Sequence, residues 1–223
     1  KVASKILSDV ASSLHLVGQE FHVTASIGIS TYPEDGEDEQ TLMKNADTAM
    51  YHAKHEGKNN FQFHSKQMAA QSLERLALES GLRHALERNE FRLHYQPKIN
   101  IGTSRMIGME ALLRWHHPDL GLVPPAQFIP IAEDCGLIRP IGNWILREAC
   151  RQARAWLDAG LPLASMAVNI SAVQFRNENF LQGVFTTLGQ TGLDPKFLEL
   201  ELTESVLMKH AESTEVILKT LRE

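Results

Sequence analysis

The chain has 223 residues, of which 43% are hydrophobic and 22% charged, with a formal net charge of −5. That is the composition of a soluble globular protein, without a basic block to grip a nucleic-acid polymer and without an apolar run long enough to span a membrane. The two cysteines, Cys135 and Cys150, lack metal-site spacing and read as free, buried thiols of a reducing cytoplasm.

In chain order, residues 1–16 have a helical pattern, and "VGQEFHVTASIGIST" predicts a turn at Gly18 and a strand through Ile29. "YPEDGEDEQ" is a polar loop marked by Pro and Gly. "EQTLMKNADTAMYHAKHEG" repeats Leu42, Ala46, Ala49, Met50 and Ala53 at helical spacing, with Gly57 placed to end the helix. A short strand, "NNFQF", closes a first unit over residues 1–65. Residues 66–72 read as a helical linker to a second unit over 73–223, which opens on "LERLALESGLRHALERNEF".

The second unit changes character. "FRLHYQPKI" and "RMIGMEALLRW" are strands joined by a segment too short for a crossover helix, so they should pair antiparallel. Helical segments then alternate with strands. "PPAQFIPIAEDCG" and "RPIGNWILREACRQARAWLDAG" are helical, the second with Ile141, Ile145, Ala149, Ala153 and Trp156 on one stripe. "ASMAVNIS" is a strand, "NENFLQGVFTTLGQTG" a helix, "KFLELELTE" a strand, and the tail a helix. Such alternation implies parallel strands with helices packed outside, the beginning of a barrel whose first strand runs backwards.

Side chains alternate across a strand, and in such a barrel the outer face meets the helices and is apolar. Leu93 and Tyr95 take that face, leaving His94 and Gln96 on the other. Glu110 shares the inner parity with Gly108, Met106 and Arg114; Asn169 lies opposite Val168 and Ile170, and Glu201 opposite Leu200 and Leu202. Two carboxylates and an amide oxygen gathered there are hard ligands suited to Mg²⁺ or Mn²⁺, and no thiolate or imidazole set suited to zinc accompanies them.

Each of these residues also has an ordinary reading. Glu110 and Glu201 could be solvated strand residues, Asn169 an amide tying strand ends together, and Arg114 an ion-pair partner. Glu199, with the parity of Glu201 but one pleat deeper, suits an internal polar network. His116 and His117 are adjacent and cannot easily face one ion. Lys54 and Lys58 sit a turn apart near a helix end, where cations complement the dipole.

At these residues the chain resembles a known family. "YQP" at 95–97, "EALLRW" at 110–115, "HPDLGLVPPAQFIPIAEDCGLI", "VNIS" and "LELTES" are similar, in order, to the EAL phosphodiesterase domain over residues 73–223. "VTASIGIS", "ADTAMYHAK" and "GKNNF" resemble the late motifs of the GGDEF, or diguanylate cyclase, domain. The resemblance implies an α/β chain: a partial TIM-like (β/α)8 barrel with an antiparallel first strand, preceded by the C-terminal part of an α+β cyclase-like domain.

It further implies hydrolysis of cyclic di-GMP to linear pGpG with Mg²⁺ or Mn²⁺ held by Glu110, Asn169 and Glu201, of which Glu110 and Glu201 are catalytic. Arg114 would contact a ligand phosphate, Gln96 would line the substrate site, and Glu204 would brace an active-site loop. Lys54 and Lys58 match cations that lie near nucleotide phosphates in the cyclase, where Arg is commoner at position 58. Family members often pair through the barrel, which implies a homodimer. Alternative readings are a non-catalytic cyclic di-GMP receptor, or a bifunctional protein with cyclase activity. Both ends fall inside helical patterns, so the sequence reads as a segment of a longer protein, lacking the family's later Asp-Asp, Lys and Glu site residues and expected to be inactive alone.

Overall fold

The computed structural model describes residues 1–12, 14–16, 19–21, 23–202 and 211–222, and it divides into two compact units, Lys1–Ala77 and Leu78–Glu223. In the first unit, helix α1 (Val2–Val10) ends short of the expected residue 16. Ser12 folds back to donate its hydroxyl to the Asp9 carbonyl, and strand β1 (Leu14–Leu16) pairs antiparallel with β2 (Gln19–Phe21). The apolar–polar–apolar order of Leu14, His15 and Leu16 is a period-two pattern too short to stand out beside the helical one. The expected turn at Gly18 lies outside the described residues.

Strand β3 (Ile27–Ile29) runs parallel to β4 (Phe61–Phe63), and helix α2 (Glu39–His55) packs across them. Asp38 caps α2, accepting from the Thr41 backbone N–H at 2.8 Å. Close approach explains Gly28: a Cβ there would fall 1.9 Å from the Ala46 carbonyl oxygen and 2.2 Å from the Met50 nitrogen. At the other end of α2, Gly57 adopts φ +105° and the Lys58 N–H donates back to the Ala53 carbonyl, the arrangement that lets a helix stop on glycine. Helix α3 (Lys66–Ala85) then runs without interruption through the expected linker.

The second unit is built on one open sheet in the order β5 (Phe91–Asn100), β6 (Arg105–His117), β8 (Met166–Ile170), β9 (Leu198–Leu202), with the short β7 (Gly121–Val123) paired to the end of β6. β5 and β6 are antiparallel, while β6, β8 and β9 are mutually parallel. Between the strands come α4 (Pro125–Asp134), α5 (Ile138–Asp158), the single turn α6 (Ala172–Phe175) and α7 (Phe180–Thr191); α8 (Ala211–Arg222) follows β9. This is the arc of a TIM-like barrel with a reversed first strand.

The core lies between the sheet and its helices. Ala111, Leu113 and Trp115 of β6 and Met166, Val168 and Ile170 of β8 meet the predicted α5 stripe of Ile141, Ile145, Ala149 and Ala153, all buried, with Trp156 half-buried beside Tyr95. Trp115 is wholly enclosed, packs on Phe91 and Phe128, and donates its indole N–H to the buried Glu90 carboxylate at 2.9 Å. Burial lifts the Tyr95 hydroxyl to about 12, and does the same to the Cys150 thiol. Both cysteines are free, as expected, but Cys135 is only half-buried at the end of α4.

Candidate active site

The other face of the same sheet is polar and open. Gln96 stands directly opposite Glu110 in the β5–β6 ladder, and Arg92 opposite Arg114. Glu110 is level with Ala167 on β8, Ala167 with Glu199 on β9, and Asn169 with Glu201. Residues level with one another share a face, so the registers bring Gln96, Glu110, Arg114, Asn169 and Glu201 to one side, as the alternation predicts. Their outer-face neighbours Val168 and Ile170 are buried, whereas Asn169 is exposed.

Parity counting holds only as far as Gly108. The β5–β6 register shifts between Lys98 and Ile99, so that Lys98 faces Gly108 while Ile99 faces Met106. The extra residue, Ile107, is a bulge, and Met106 does not continue the parity that the sequence suggests.

Within this face the polar groups are paired. The Asn169 amide donates from Nδ2 to Glu110 Oε1 at 2.7 Å. Glu201 is held instead by Lys98, whose ammonium Nζ lies 2.5 Å from its Oε1 and 3.2 Å from Oε1 of Glu199. Bonding to Glu201, reinforced by Glu199, raises the Lys98 ammonium above its ordinary value. Arg114 is half-buried and donates to the Leu113 carbonyl at 2.9 Å; Gln96 is exposed. Lys98 is a functional candidate missing from the sequence reading. Its signal was its place two residues after Gln96 on the inner parity, but the acidic partners lie 103 and 101 residues away (201 − 98 and 199 − 98).

The remaining candidates stand apart. Glu204 lies outside the described residues. Lys54 is exposed in the last turn of α2, and Lys58 lies just beyond the helix at φ +60°, after the Gly57 expected to end it. His116 is exposed, and His117 turns its Nδ1 to accept from the backbone N–H groups of Asp119 and Leu120. Among the described residues no group of three or more His, Cys, Asp or Glu side chains is disposed to hold a metal ion. The donors that could do so are therefore two carboxylates and the amide oxygen of Asn169, on adjacent strands. They are hard oxygen ligands, one of which, Glu201, is held by the Lys98 ammonium. Among the described residues no helix is long and apolar enough to cross a membrane.

Fold and site together define a barrel-type α/β domain with one polar, open sheet face. The family model of the EAL domain matches residues 79–223, and that of the diguanylate cyclase GGDEF domain matches residues 1–60. The chain belongs to the EAL domain family, preceded by part of a GGDEF domain. It is 46% identical over 220 residues to MucR of Pseudomonas aeruginosa, a bifunctional diguanylate cyclase/cyclic di-GMP phosphodiesterase, covering 99% of this chain and 32% of MucR. It is 38% identical over 222 residues to the cyclic di-GMP phosphodiesterase NbdA of the same organism, covering all of this chain and 28% of NbdA. Among solved structures, the MucR phosphodiesterase in complex with c-di-GMP superposes with a TM-score of 0.64 at 49% identity, over 66% of this chain and 59% of that one. The chain thus spans about a third or less of the curated relatives it matches.

Proposed function

We propose that the protein is a metal-dependent phosphodiesterase that hydrolyses cyclic di-GMP to linear pGpG, with Mg²⁺ or Mn²⁺ as the cofactor. The observation that carries this reading is the convergence of Glu110, Asn169 and Glu201 on one open sheet face, where Asn169 already contacts Glu110 and Glu201 already binds a cationic group. The relatives named for this activity support the substrate class.

In this reading Glu110 and Glu201 would supply carboxylate oxygens to the ion and Asn169 its amide oxygen. A bound divalent ion supplies charge neutralisation at the phosphate and a water acidified towards hydroxide. Arg114, inward-facing, would hold non-bridging phosphate oxygens with its guanidinium, where a positive charge counts most as the transition state gathers negative charge. Gln96, opposite Glu110 and exposed, offers an amide to orient the nucleotide.

Turnover of cyclic di-GMP by the full-length protein with Mg²⁺ or Mn²⁺, compared with Glu110→Ala, tests the assignment. The variant should lose on the order of 10²-fold or more in rate, corresponding to several kcal/mol of transition-state stabilisation. Equal rates would remove Glu110 from the mechanism. Tight binding of cyclic di-GMP without any turnover in the unsubstituted protein would assign it instead to a receptor role.

A further inference from the structure

Lys98 is embedded in the inner face more elaborately than a solvated lysine requires. Its ammonium bridges two carboxylates of one strand, at 2.5 Å from Glu201 and 3.2 Å from Glu199. Glu199 is itself fixed from the opposite side, its Oε2 accepting from the Ser165 hydroxyl at 3.1 Å. That hydroxyl can stand there because residue 108 is glycine: a Cβ on Gly108 would lie 2.5 Å from Ser165 Oγ and 3.0 Å from the Ser165 carbonyl oxygen. Lys98 faces Gly108 across the ladder, next to the bulge, so the backbone is shaped at the point from which the lysine reaches over.

Glu199 therefore has a second anchor, and among the described residues Glu201 has only Lys98. This asymmetry matters once Glu201 serves as a metal ligand. An ammonium left in contact with Glu201 would repel a divalent ion beside it. A lysine is a compact charge on a flexible stem and can shift a few ångströms without moving its strand. Glu199, anchored and ionisable, is the nearest place for it to go.

We propose that Lys98 and Glu199 are positioning residues that work as a pair: Lys98 holds Glu201 while no divalent ion is bound, and withdraws onto Glu199 when Glu201 becomes a metal ligand. The proposal rests on the assignment of Glu201 given above. It gives Glu199 a role through Lys98 rather than through the metal, and it makes the two residues thermodynamically coupled.

Mn²⁺ binding to the full-length protein without nucleotide, followed by the electron paramagnetic resonance signal of free Mn²⁺, separates these roles. E199Q should weaken Mn²⁺ binding roughly three- to tenfold, because Lys98 loses its charged alternative. K98M should bind Mn²⁺ at least as tightly as the unsubstituted protein. K98M/E199Q should bind within about twofold of K98M, so that removing the lysine rescues the loss of the glutamate. A penalty for E199Q that persists in the K98M background would mean that Glu199 acts on the ion directly, and would overturn the proposal. So would an E199Q protein that binds Mn²⁺ normally, or a K98M protein that binds it more weakly. E201Q keeps the two levels apart: unchanged Mn²⁺ binding there removes Glu201 from the metal site, whereas weakened binding with no coupling between Lys98 and Glu199 leaves that site standing and removes only the relay. Thermal melts followed by circular dichroism on each variant, with K98Q as a second substitution, confirm that folded proteins are being compared.

Discussion

The two faces of the β5–β6–β8–β9 sheet are made by the same strands, yet they are stabilised by different rules. On the outer face Ala111, Leu113, Trp115, Met166 and Val168 are buried against helices, and almost any one of them contributes through the water it excludes. On the inner face Glu110, Asn169, Lys98, Glu199 and Glu201 satisfy one another in small sets drawn from different strands. Residue type alone specifies the first face, because hydrophobic packing is not directional. Register specifies the second, since a hydrogen bond is lost when its partner is one residue away.

That contrast can be broken most forcefully at Trp115. Trp115→Ala removes the largest enclosed side chain and strands the Glu90 carboxylate, and should cost about 3–5 kcal/mol in urea unfolding. Loss of less than about 1 kcal/mol would show that the helices do not depend on this face. Glu110→Ala, measured in the same way, should change stability by no more than about 0.5 kcal/mol. The inner face would then be specialised for chemistry at little expense to the fold, and a large loss would make it structural.

Thiol chemistry sharpens the comparison on a smaller scale. Cys150 is completely buried in the outer layer and its thiol is pushed up to about 12, while Cys135 is half-buried. With Ellman's reagent at pH 8, Cys135 should react first and Cys150 only after denaturant is added. Equal rates in the native protein would mean that the layer over α5 opens readily. The smallest effect is in the first unit, where a single imidazole contact offers a reference for paired polar groups. His64 Nδ1 lies 2.8 Å from Asp35, and this contact, with help from Thr31, holds the carboxyl at about 2. A lowered carboxylate stabilises the fold above its ordinary value of 3.8 and loses that contribution as the pH falls through about 2. His64→Ala should return the Asp35 titration, followed by NMR, part of the way towards 3.8; no movement would exclude His64 as the cause.

The sequence was most legible where one residue's identity settles the matter. The α5 stripe, the alternation of β8 and β9 and the antiparallel start of the barrel all follow from periodicity and segment length. The inner set of Gln96, Glu110, Arg114, Asn169 and Glu201 followed from counting by twos. What escaped required knowledge of a partner. Lys98 gains its meaning from glutamates more than a hundred residues later, the bulge at Ile107 from a ladder whose register no single strand encodes, and the β1–β2 pairing from two strands of three residues each.

The long hairpin of β5 and β6 also sets an order of assembly. Gln96 and Glu110 meet across a short connection, whereas Glu110 reaches its β8 neighbour Ala167 only after 57 residues (167 − 110), and Lys98 reaches Glu201 after 103. Loop closure grows costlier with chain length, by about 0.6 kcal/mol per doubling, and non-local pairings wait upon local ones. We predict high φ-values for hairpin substitutions such as Leu113→Ala and low ones for Leu200→Ala; the reverse order would refute it. A chain emerging from the ribosome would thus present Lys98 and Glu110 on a finished hairpin well before either has its counterpart, and the polar inner face would be the last part of the sheet to mature.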